Sequence, residues 1–363
     1  MTEANNTTQN PEYNKAQSKQ TQQIQKTSQL TTVDQAPSPA QDATNMINAI
    51  HDKENITYIS TKTSRVEILI MELSKIGRIY FSKDKNIRLY SDNLTGIAME
   101  KKESNKTITT LVALNFDELK MNEHGITITT SKELEPFDRI VHDAIITLYV
   151  EGRNEYITTT MIYHVITGNT NKRIHENFIN AINDSINKMM YTRIIIKASE
   201  ESRIYKGLKG FEYASYLLPA ERISAKINGT ITTCIHLFRT PPLYDYANRK
   251  NQISRININV LSTPFQNGNR EEIADATIVF YLTRRIVVIR NTSNKLLYET
   301  IYAELGYENA SKQLKLKLRK KIKEILTTWV NTEFGNIRIT GHKEIKKKGI
   351  PYEIEMFYFT AKE

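Results

Sequence analysis

The sequence has little cysteine and no long hydrophobic run. Of its 363 residues only Cys234 is a cysteine, which excludes an intramolecular disulfide and a zinc site built from several thiolates. No stretch approaches the roughly 18 consecutive apolar residues that a membrane-spanning helix needs. The first residues carry neither the basic nor the apolar segment of a secretory signal peptide. These absences predict a cytoplasmic protein with no membrane partner.

Motifs for nucleotide, metal or nucleophilic chemistry are also lacking. Neither Gly-x-x-x-x-Gly-Lys-Ser/Thr nor Gly-x-Gly-x-x-Gly occurs, and none of the seven histidines forms His-x-His or His-Glu-x-x-His. Cys234 and His236 fall on the same side of a predicted strand, where a core thiol is the usual outcome. Tyr244 has no cluster of Arg, His and Lys around it in the sequence. We therefore expect no enzyme, no catalytic residue, no bound metal and no cofactor.

Positive charge is in excess and unevenly distributed. Lys and Arg number 50 against 40 Asp and Glu, a net charge of +10. Residues 311–350 hold twelve Lys and Arg against three Glu, which gives this segment alone a net charge of +9. Such a concentration predicts a surface for a polyanion. A solvated Lys-rich helix face is the alternative interpretation.

The first 130 residues predict two different regions. Residues 1–52 are rich in Gln, Asn and Thr and poor in large apolar groups, so we expect a disordered tail. Residues 53–130 hold short β-branched segments separated by turn residues, which predict a small β-rich or mixed region. Strands are predicted at 56–59, 79–81, 107–112 and 126–128, and one short helix at 66–76.

Residues 131–252 predict a first winged-helix domain with a connector. A helix opens at Pro136, a second covers 159–167 and ends before Gly168, and a third covers 172–190. Strands at 192–198 and 231–238 are predicted to form the two-stranded ribbon that follows. This order of elements is typical of the winged-helix form of the helix-turn-helix. The basic connector at 239–260 would either follow a DNA backbone or serve as a spacer.

Residues 253–363 repeat that order. The run 273–290 is ambiguous between helix and strand, and the parallel with the first domain favours helix. Helices at 295–305 and 311–332 follow, and strands at 337–340 and 352–359 flank a predicted loop at 341–349. The predicted fold class is therefore α+β, with two tandem winged-helix domains preceded by the β-rich segment and the tail.

The third helix of the second domain has a basic exposed face. Its predicted buried stripe consists of Leu314, Leu318, Ile322, Ile325, Leu326 and Trp329. At about 100° per residue this stripe leaves polar and basic side chains exposed on the opposite side. The predicted DNA-binding residues here are Lys312, Gln313, Lys317, Lys320 and Lys323 on the helix, and Lys343, Lys346, Lys347 and Lys348 on the wing. Recognition helices enter the major groove, and contacts to phosphates make binding strongly salt-dependent.

The third helix of the first domain predicts a different surface. Its exposed positions include Asn177, Asn180, Asn183 and Asn187, and asparagine pairs bidentately with adenine in the major groove. Lys172 and Arg173, together with Lys188, would contact phosphates. This pattern favours reading of an AT-rich site. The alternatives are an Asn-rich surface that reflects composition alone, and a dimerisation surface.

Two stretches resemble the plasmid replication initiators of Gram-positive and Gram-negative bacteria. They are Pro136–Ala144 continuing to Tyr191–Ile194, and Leu297–Tyr302 continuing through Phe357. The resemblance covers roughly residues 130–363, and the segment before it departs from the two-domain pattern. It implies binding to repeated origin sites, local melting of AT-rich DNA, recruitment of host replication proteins, and a dimer-to-monomer switch through the first winged helix.

The leading hypothesis is a sequence-specific double-stranded DNA-binding protein, a replication initiator of a plasmid or an integrated mobile element. One alternative is a winged-helix transcription regulator or a partition-site adaptor. The other is a non-enzymatic interaction protein whose basic surface binds an acidic partner or RNA. RNA binding would bring aromatic side chains exposed among the basic residues, and the placement of Trp329 on the buried stripe counts against it.

Overall fold

The chain is mixed α+β in the part that the structure describes. The computed structural model describes residues 57–61, 70, 87–90, 96–103, 106–116, 134–154, 156–168, 174–227, 230–265, 272–289 and 294–360. The predicted tail, the predicted strands at 79–81 and 126–128, and all of the predicted helix at 66–76 except Ile70 lie outside these residues. The described residues form seven α-helices and fourteen strands in four sheets.

The helices are α1 (Pro136–Val150), α2 (Thr159–Thr167), α3 (Glu176–Tyr191), α4 (Pro242–Arg249), α5 (Ile273–Ile286), α6 (Tyr298–Glu304) and α7 (Lys312–Thr328). The strands are β1 (Thr57–Thr61), β2 (Ile87–Tyr90), β3 (Gly96–Glu103), β4 (Lys106–Phe116), β5 (Tyr156–Thr158), β6 (Thr192–Lys197), β7 (Glu212–Tyr216), β8 (Ala220–Ile227), β9 (Thr230–Leu237), β10 (Ile253–Asn257), β11 (Lys295–Leu297), β12 (Glu333–Phe334), β13 (Ile337–Lys347) and β14 (Ile350–Thr360). Short 3-10 segments cover Ser199–Arg203, Lys206–Leu208 and Ile258–Phe265.

Local sequence signals explain the helix ends of the N-terminal unit, which we define as α1 to β9. Pro136 occupies the first turn of α1, where its missing N–H is not needed. The hydroxyl of Thr158 caps α2 by accepting a hydrogen bond from the Met161 N–H at 3.2 Å. Gly168 ends α2 with φ of 61°, and a Cβ there would lie 2.9 Å from the Ser262 nitrogen. Both the backbone conformation and the close approach therefore require glycine.

The predicted ribbon of the N-terminal unit is wrong in one of its two strands. β9 pairs with β8 and β5 in a three-stranded sheet of order β5-β9-β8. The segment 192–198 contributes β6 to a different sheet, of order β2-β3-β4-β6-β7, which spans the predicted boundary at residue 130. β6 is strongly β-branched, whereas β8, Ala-Glu-Arg-Ile-Ser-Ala-Lys-Ile, has a weak strand signal. Which strand pairs with β9 depends on contacts between segments distant in the sequence, and a local sequence pattern does not show these contacts.

The C-terminal unit, α5 to β14, contains the helix that the sequence favoured at 273–290. Its sheet has the order β11-β14-β13-β12. The predicted loop at 341–349 is wrong, because β13 continues to Lys347 and β14 begins at Ile350. Only Lys348 and Gly349 form the turn, with φ of 52° and 78°, as a two-residue hairpin turn requires. One cross-strand pair of the β13–β14 hairpin has opposite charges, Lys343 with Glu355.

The buried stripe of α7 begins one turn later than predicted. Leu318, Ile322, Ile325, Leu326 and Trp329 are buried, but Leu314 is 39% exposed. The first turn of α7 extends beyond the core, so this turn has no partner to cover its apolar side chain. The Trp329 indole N–H donates to the Val260 carbonyl at 3.3 Å, and its ring packs edge-on against Phe334.

The two units share one hydrophobic core. α1 packs against α5, and β1 pairs antiparallel with β10. Inside this contact the guanidinium of Arg284 on α5 donates to the carboxylate of Asp143 on α1, which is 1% exposed, and to the Ser60 hydroxyl on β1. The ring of Tyr58 packs edge-on against Phe280, with 5.0 Å between centroids. A buried ion pair thus joins the two units and β1.

The connector uses its basic residues within the protein. The Lys250 ammonium is buried and lies 2.6 Å from the Glu201 carboxylate, which also accepts from Tyr246 and Thr110. The neighbouring arginines of the connector pair with acidic residues at 2.8–2.9 Å, Arg249 with Asp245 and Arg255 with Glu151. Burial makes Lys250 unavailable to a DNA backbone, so the structure disfavours the backbone-tracking interpretation at this position.

Replacing Lys250 by Met should lower the free energy of unfolding by about 3–5 kcal/mol, because Glu201 would stay buried without its cationic partner. Chemical denaturation followed by circular dichroism measures the change. Lys206→Met, at an exposed lysine nearby, is the matched control and should change stability by less than about 0.5 kcal/mol. Equal stabilities for the two variants would contradict a structural role for the buried pair.

Candidate nucleic-acid interface

The basic residues of the C-terminal unit meet on α7 and the β13–β14 hairpin. The structure exposes Lys312, Gln313, Lys317 and Lys320 on α7, and Lys343, Lys346, Lys347 and Lys348 on the hairpin. Lys323 is half-buried at the junction of the two elements. We call these nine residues the α7–hairpin surface. Eight of the nine predicted side chains are therefore accessible to a partner.

Contacts between the helix and the hairpin hold this surface together. The Glu344 carboxylate on β13 accepts a hydrogen bond from the Tyr298 hydroxyl at 2.9 Å and lies 3.7 Å from the Lys323 ammonium. One turn further along α7, the Thr327 hydroxyl lies 3.1 Å from Nε2 of His342. Glu344 therefore joins α6, α7 and the hairpin, and fixes where the hairpin lysines lie relative to the helix.

Burial is the largest cause of the pKa shifts of Tyr298 and His342 at this junction. Burial and then the hydrogen bond to Glu344 raise the pKa of Tyr298 far above its ordinary value, so its hydroxyl stays a donor. Burial and then the charge of Lys323 lower the pKa of His342 below its ordinary value of 6.5. His342 is thus neutral near pH 7, and the lysines supply the positive charge of this surface.

The cations of α7 divide into two groups. Lys315 donates to the Glu308 carbonyl at 2.6 Å and lies over the Tyr302 ring, and Lys321 pairs with Asp275 at 2.8 Å. By contrast, no described carboxylate lies within ion-pair distance of Lys312 or Lys317. The same holds for Lys343, Lys346, Lys347 and Lys348. These six lysines are therefore exposed without a described counter-ion, although Lys347 also lies over the Tyr352 ring.

Lys320 has only a marginal contact. Its ammonium lies 4.0 Å from Glu324, one turn away, and both side chains are mostly exposed. Exposed pairs of this kind contribute little, at most about 1 kcal/mol. A phosphate could therefore compete for Lys320 at little cost.

Exposed apolar and aromatic side chains lie among these lysines, and the sequence analysis did not identify them as functional. Leu316 is 55% exposed next to Lys317. Tyr352 on β14 is exposed, and the Lys347 ammonium lies 5.1 Å from its ring centroid. Leu316 falls outside the 3.6-residue stripe, which is the signal that could have identified it. An apolar side chain in the major groove can contact a thymine methyl group.

Aromatic side chains are exposed in the C-terminal unit, which removes the reason for disfavouring RNA. Trp329 is buried as predicted, but Tyr352, Phe357 and Phe359 are exposed on β14. Exposed aromatic rings beside lysines are what a single-stranded partner needs for base stacking.

The asparagine face of the N-terminal unit is only partly free. Asn177 and Asn180 are exposed on α3. Asn183 and Asn187 are half-buried, and Arg222 of β8 spans them. Its guanidinium donates to the Asn187 side-chain oxygen at 3.0 Å and to the Asn183 carbonyl at 3.2 Å.

The side-chain oxygens of Asn183 and Asn187 are thus engaged within the protein, which disfavours base reading by these two residues in the observed arrangement. The side-chain oxygen of Asn183 also accepts from the Thr159 hydroxyl at 3.0 Å. Bidentate pairing with adenine needs both the oxygen and the nitrogen of the amide, and both oxygens are engaged. The predicted phosphate contacts Lys172 and Arg173 lie outside the described residues.

α3 also lacks the excess positive charge of α7. Lys188 is 13% exposed and pairs with Asp138 at 3.3 Å and Glu135 at 3.6 Å, so it does not contact phosphates as predicted. Burial raises the pKa of Asp138, and Lys188 opposes that rise. The exposed charged side chains of α3 are Glu176 and Asp184, both acidic. The two third helices are therefore electrostatically different.

Across the described ranges, no three or more His, Cys, Asp or Glu side chains converge as metal ligands. None of the described helices is long and apolar enough to cross a membrane.

Replacing Lys323 by Gln should raise the pKa of His342 towards its ordinary value, because the lysine charge disfavours the imidazolium. Because the pKa of His342 is lower in the folded state than in the unfolded state, the protein loses stability as the pH falls below 6.5. The Lys323→Gln variant should lose less stability over the same pH range. NMR titration of the imidazole measures the pKa. The exposed neighbour variant Lys317→Gln should leave it unchanged, and a lower pKa in Lys323→Gln would contradict the geometry.

Comparisons with known proteins identify no family. No family model matches the chain, and no curated protein matches it. Among solved structures, domains 2 and 3 of RctB match with a TM-score of 0.36 and 13% identity, over 79% of this chain and 98% of that chain. This TM-score is too low to indicate a shared fold, so the function proposed below depends on the residues of this chain.

Proposed function

We propose that the chain is a sequence-specific double-stranded DNA-binding protein with two tandem winged-helix domains, and that it acts as a replication initiator at the origin repeats of a plasmid or an integrated mobile element. The topology supports the winged-helix assignment. In each unit a helix is followed by a short strand and two helices, and the short strand pairs with the second strand of a later hairpin, β8–β9 or β13–β14. In the N-terminal unit β6 and β7, which belong to another sheet, lie between α3 and that hairpin. This arrangement places the third helix and the hairpin side by side.

The observation that carries the proposal is the α7–hairpin surface. At 17 residues α7 is about 25 Å long, and the major groove admits a single α-helix. With α7 in the groove, Gln313, Lys317 and Lys320 would face bases and phosphates, and Lys346–Lys348 at the hairpin tip would reach the adjacent backbone. The free lysines would each displace counterions on binding.

The N-terminal unit has a different role in this proposal. Its third helix lacks excess positive charge, so backbone attraction is a property of the C-terminal unit. Asn177 and Asn180 remain candidates for reading AT-rich bases, and dimerisation is the alternative use of this unit. A homodimer and host replication proteins are partners that the resemblance to plasmid initiators implies. None of these roles requires a catalytic residue.

A transcription regulator or partition-site adaptor would bind DNA through the same surface. The second candidate partner is single-stranded RNA, and the exposed ring of Tyr352 beside Lys347 favours it. An acidic protein partner would use the lysines but not the ring.

Replacing Lys317 and Lys320 together by Glu should weaken binding to duplex DNA by about tenfold or more and reduce its salt dependence, because two phosphate contacts become repulsive. Fluorescence anisotropy at several salt concentrations measures both effects. Lys102→Glu with Lys106→Glu, at exposed lysines of β3 and β4, makes the same change in net charge and should have a much smaller effect. Equal losses for the two pairs would remove the recognition-helix assignment.

The same assay separates the candidate functions. Duplex DNA taken from beside the gene is compared with scrambled duplex and with single-stranded RNA. Preference for the flanking duplex near physiological salt supports an initiator or a regulator, and replication of a minimal plasmid then distinguishes these two. Equal, weak and steeply salt-dependent binding to all three would reduce the surface to a general polyanion site.

A further inference from the structure

A cavity of about 190 Å³ lies between the two units. α1 forms one wall, and α5 and α6 form the opposite wall. Apolar side chains make up most of its surface, among them Leu134, Ile140, Met189, Leu217, Phe280 and Leu305. Cavities of about 150 Å³ are large enough to bind benzene, so this one can hold a ring or a short alkyl chain with a small polar group.

Two buried polar atoms in the cavity wall have no hydrogen-bond partner among the described residues. They are Nε of Arg285 on α5 and Nε2 of His142 on α1. The His142 side chain is only 5% exposed, and its Nδ1 lies 3.9 Å from Asp143, which is too far for a hydrogen bond. A guanidinium only donates, so Nε of Arg285 needs an acceptor, and no described group accepts from it in the structure.

The other charged groups of the cavity are largely committed elsewhere. Arg284 pairs with Asp143. Asp138 is held by Ser185 at 2.6 Å and by Lys188, which also lies 3.6 Å from Glu135. These carboxylates are therefore not acceptors for Arg285.

Arg139, Tyr281 and Glu304 are further polar residues of the cavity wall. Arg139 supplies a second cation beside His142, and Glu304 is exposed to water. Burial raises the pKa of Tyr281 to about 12, so its hydroxyl remains protonated and can donate. Among the described residues the wall thus presents donors and cations on an apolar background, and its two exposed carboxylates, Glu135 and Glu304, are solvated.

We propose that this cavity is a binding site for a small organic carboxylate with an apolar body, about the size of one aromatic ring or a short alkyl chain. The carboxylate accepts from Arg285 and His142, and the apolar body fills the space between α1 and α5. Because the ligand contacts both units, binding stabilises their observed arrangement. The proposal depends on the cavity alone and is independent of DNA binding.

The test uses the full-length protein with benzoate and octanoate as probes, and benzyl alcohol and 1-octanol as uncharged counterparts. Saturable binding in NMR titrations and a concentration-dependent rise in Tm are expected for a carboxylate, with at least about tenfold weaker binding of its alcohol. Phenyl phosphate distinguishes a carboxylate site from a phosphate site. Tighter binding of phenyl phosphate than of either carboxylate would overturn the stated ligand class.

The decisive variant is Arg285→Met, which keeps the apolar stem and removes the donor. It should weaken carboxylate binding by about tenfold or more and leave alcohol binding unchanged. Since no described carboxylate forms an ion pair with Arg285, the Tm of the unliganded variant should not fall. Arg193→Met, at an exposed arginine of β6, is the matched control and should bind like the original protein. No carboxylate binding at millimolar concentration, or unchanged affinity in Arg285→Met, would overturn the proposal. Either result would indicate that buried water hydrogen-bonds to Arg285 and His142 instead.

Discussion

The buried ion pair between Asp143 and Arg284 is the contact on which the arrangement of the described fold depends. It joins the first helix of each unit, and Ser60 brings β1 to the same point. Breaking one partner of such a pair leaves a buried charge uncompensated, which is costly, so the two helices keep one arrangement. The shared hydrophobic core surrounds the pair. The cavity between the units follows from the same packing, because Arg284 forms part of its wall.

Ion pairs within the protein determine which lysines remain free to contact a partner. The connector lysine and the inward lysines of α7 and α3 are held by buried or half-buried carboxylates. Exposed lysines are then most concentrated at the outer end of α7 and at the hairpin tip. A net charge of +10 distributed evenly would attract a polyanion weakly from every side. Positive charge concentrated on one helix and one hairpin, held together by Glu344, would attract a polyanion to that side of the protein.

Much of this could be predicted from the sequence, and the failures have physical causes. The periodicity of apolar residues identified α1, α3 and α7, and with them the exposed lysines of α7, because burial on one face leaves a local pattern. The strand partner of β9 and the length of β13 depend on pairing between distant segments, which no local pattern records. Likewise, the engagement of Asn183 and Asn187 by Arg222 joins residues 35 or more positions apart. The exposed first turn of α7, which contains Leu314, shows that the periodicity of apolar residues does not predict where the hydrophobic core ends.

We propose above that the protein contacts duplex DNA through the α7–hairpin surface. Lysine acetylation followed by mass spectrometry, with and without the duplex, tests this claim residue by residue. The account predicts that DNA protects Lys312, Lys317, Lys320 and the hairpin lysines 343 and 346–348. The exposed lysines Lys102, Lys106, Lys206 and Lys209 should react at the same rate with and without DNA. Protection spread evenly over both groups, or confined to the second, would contradict the account.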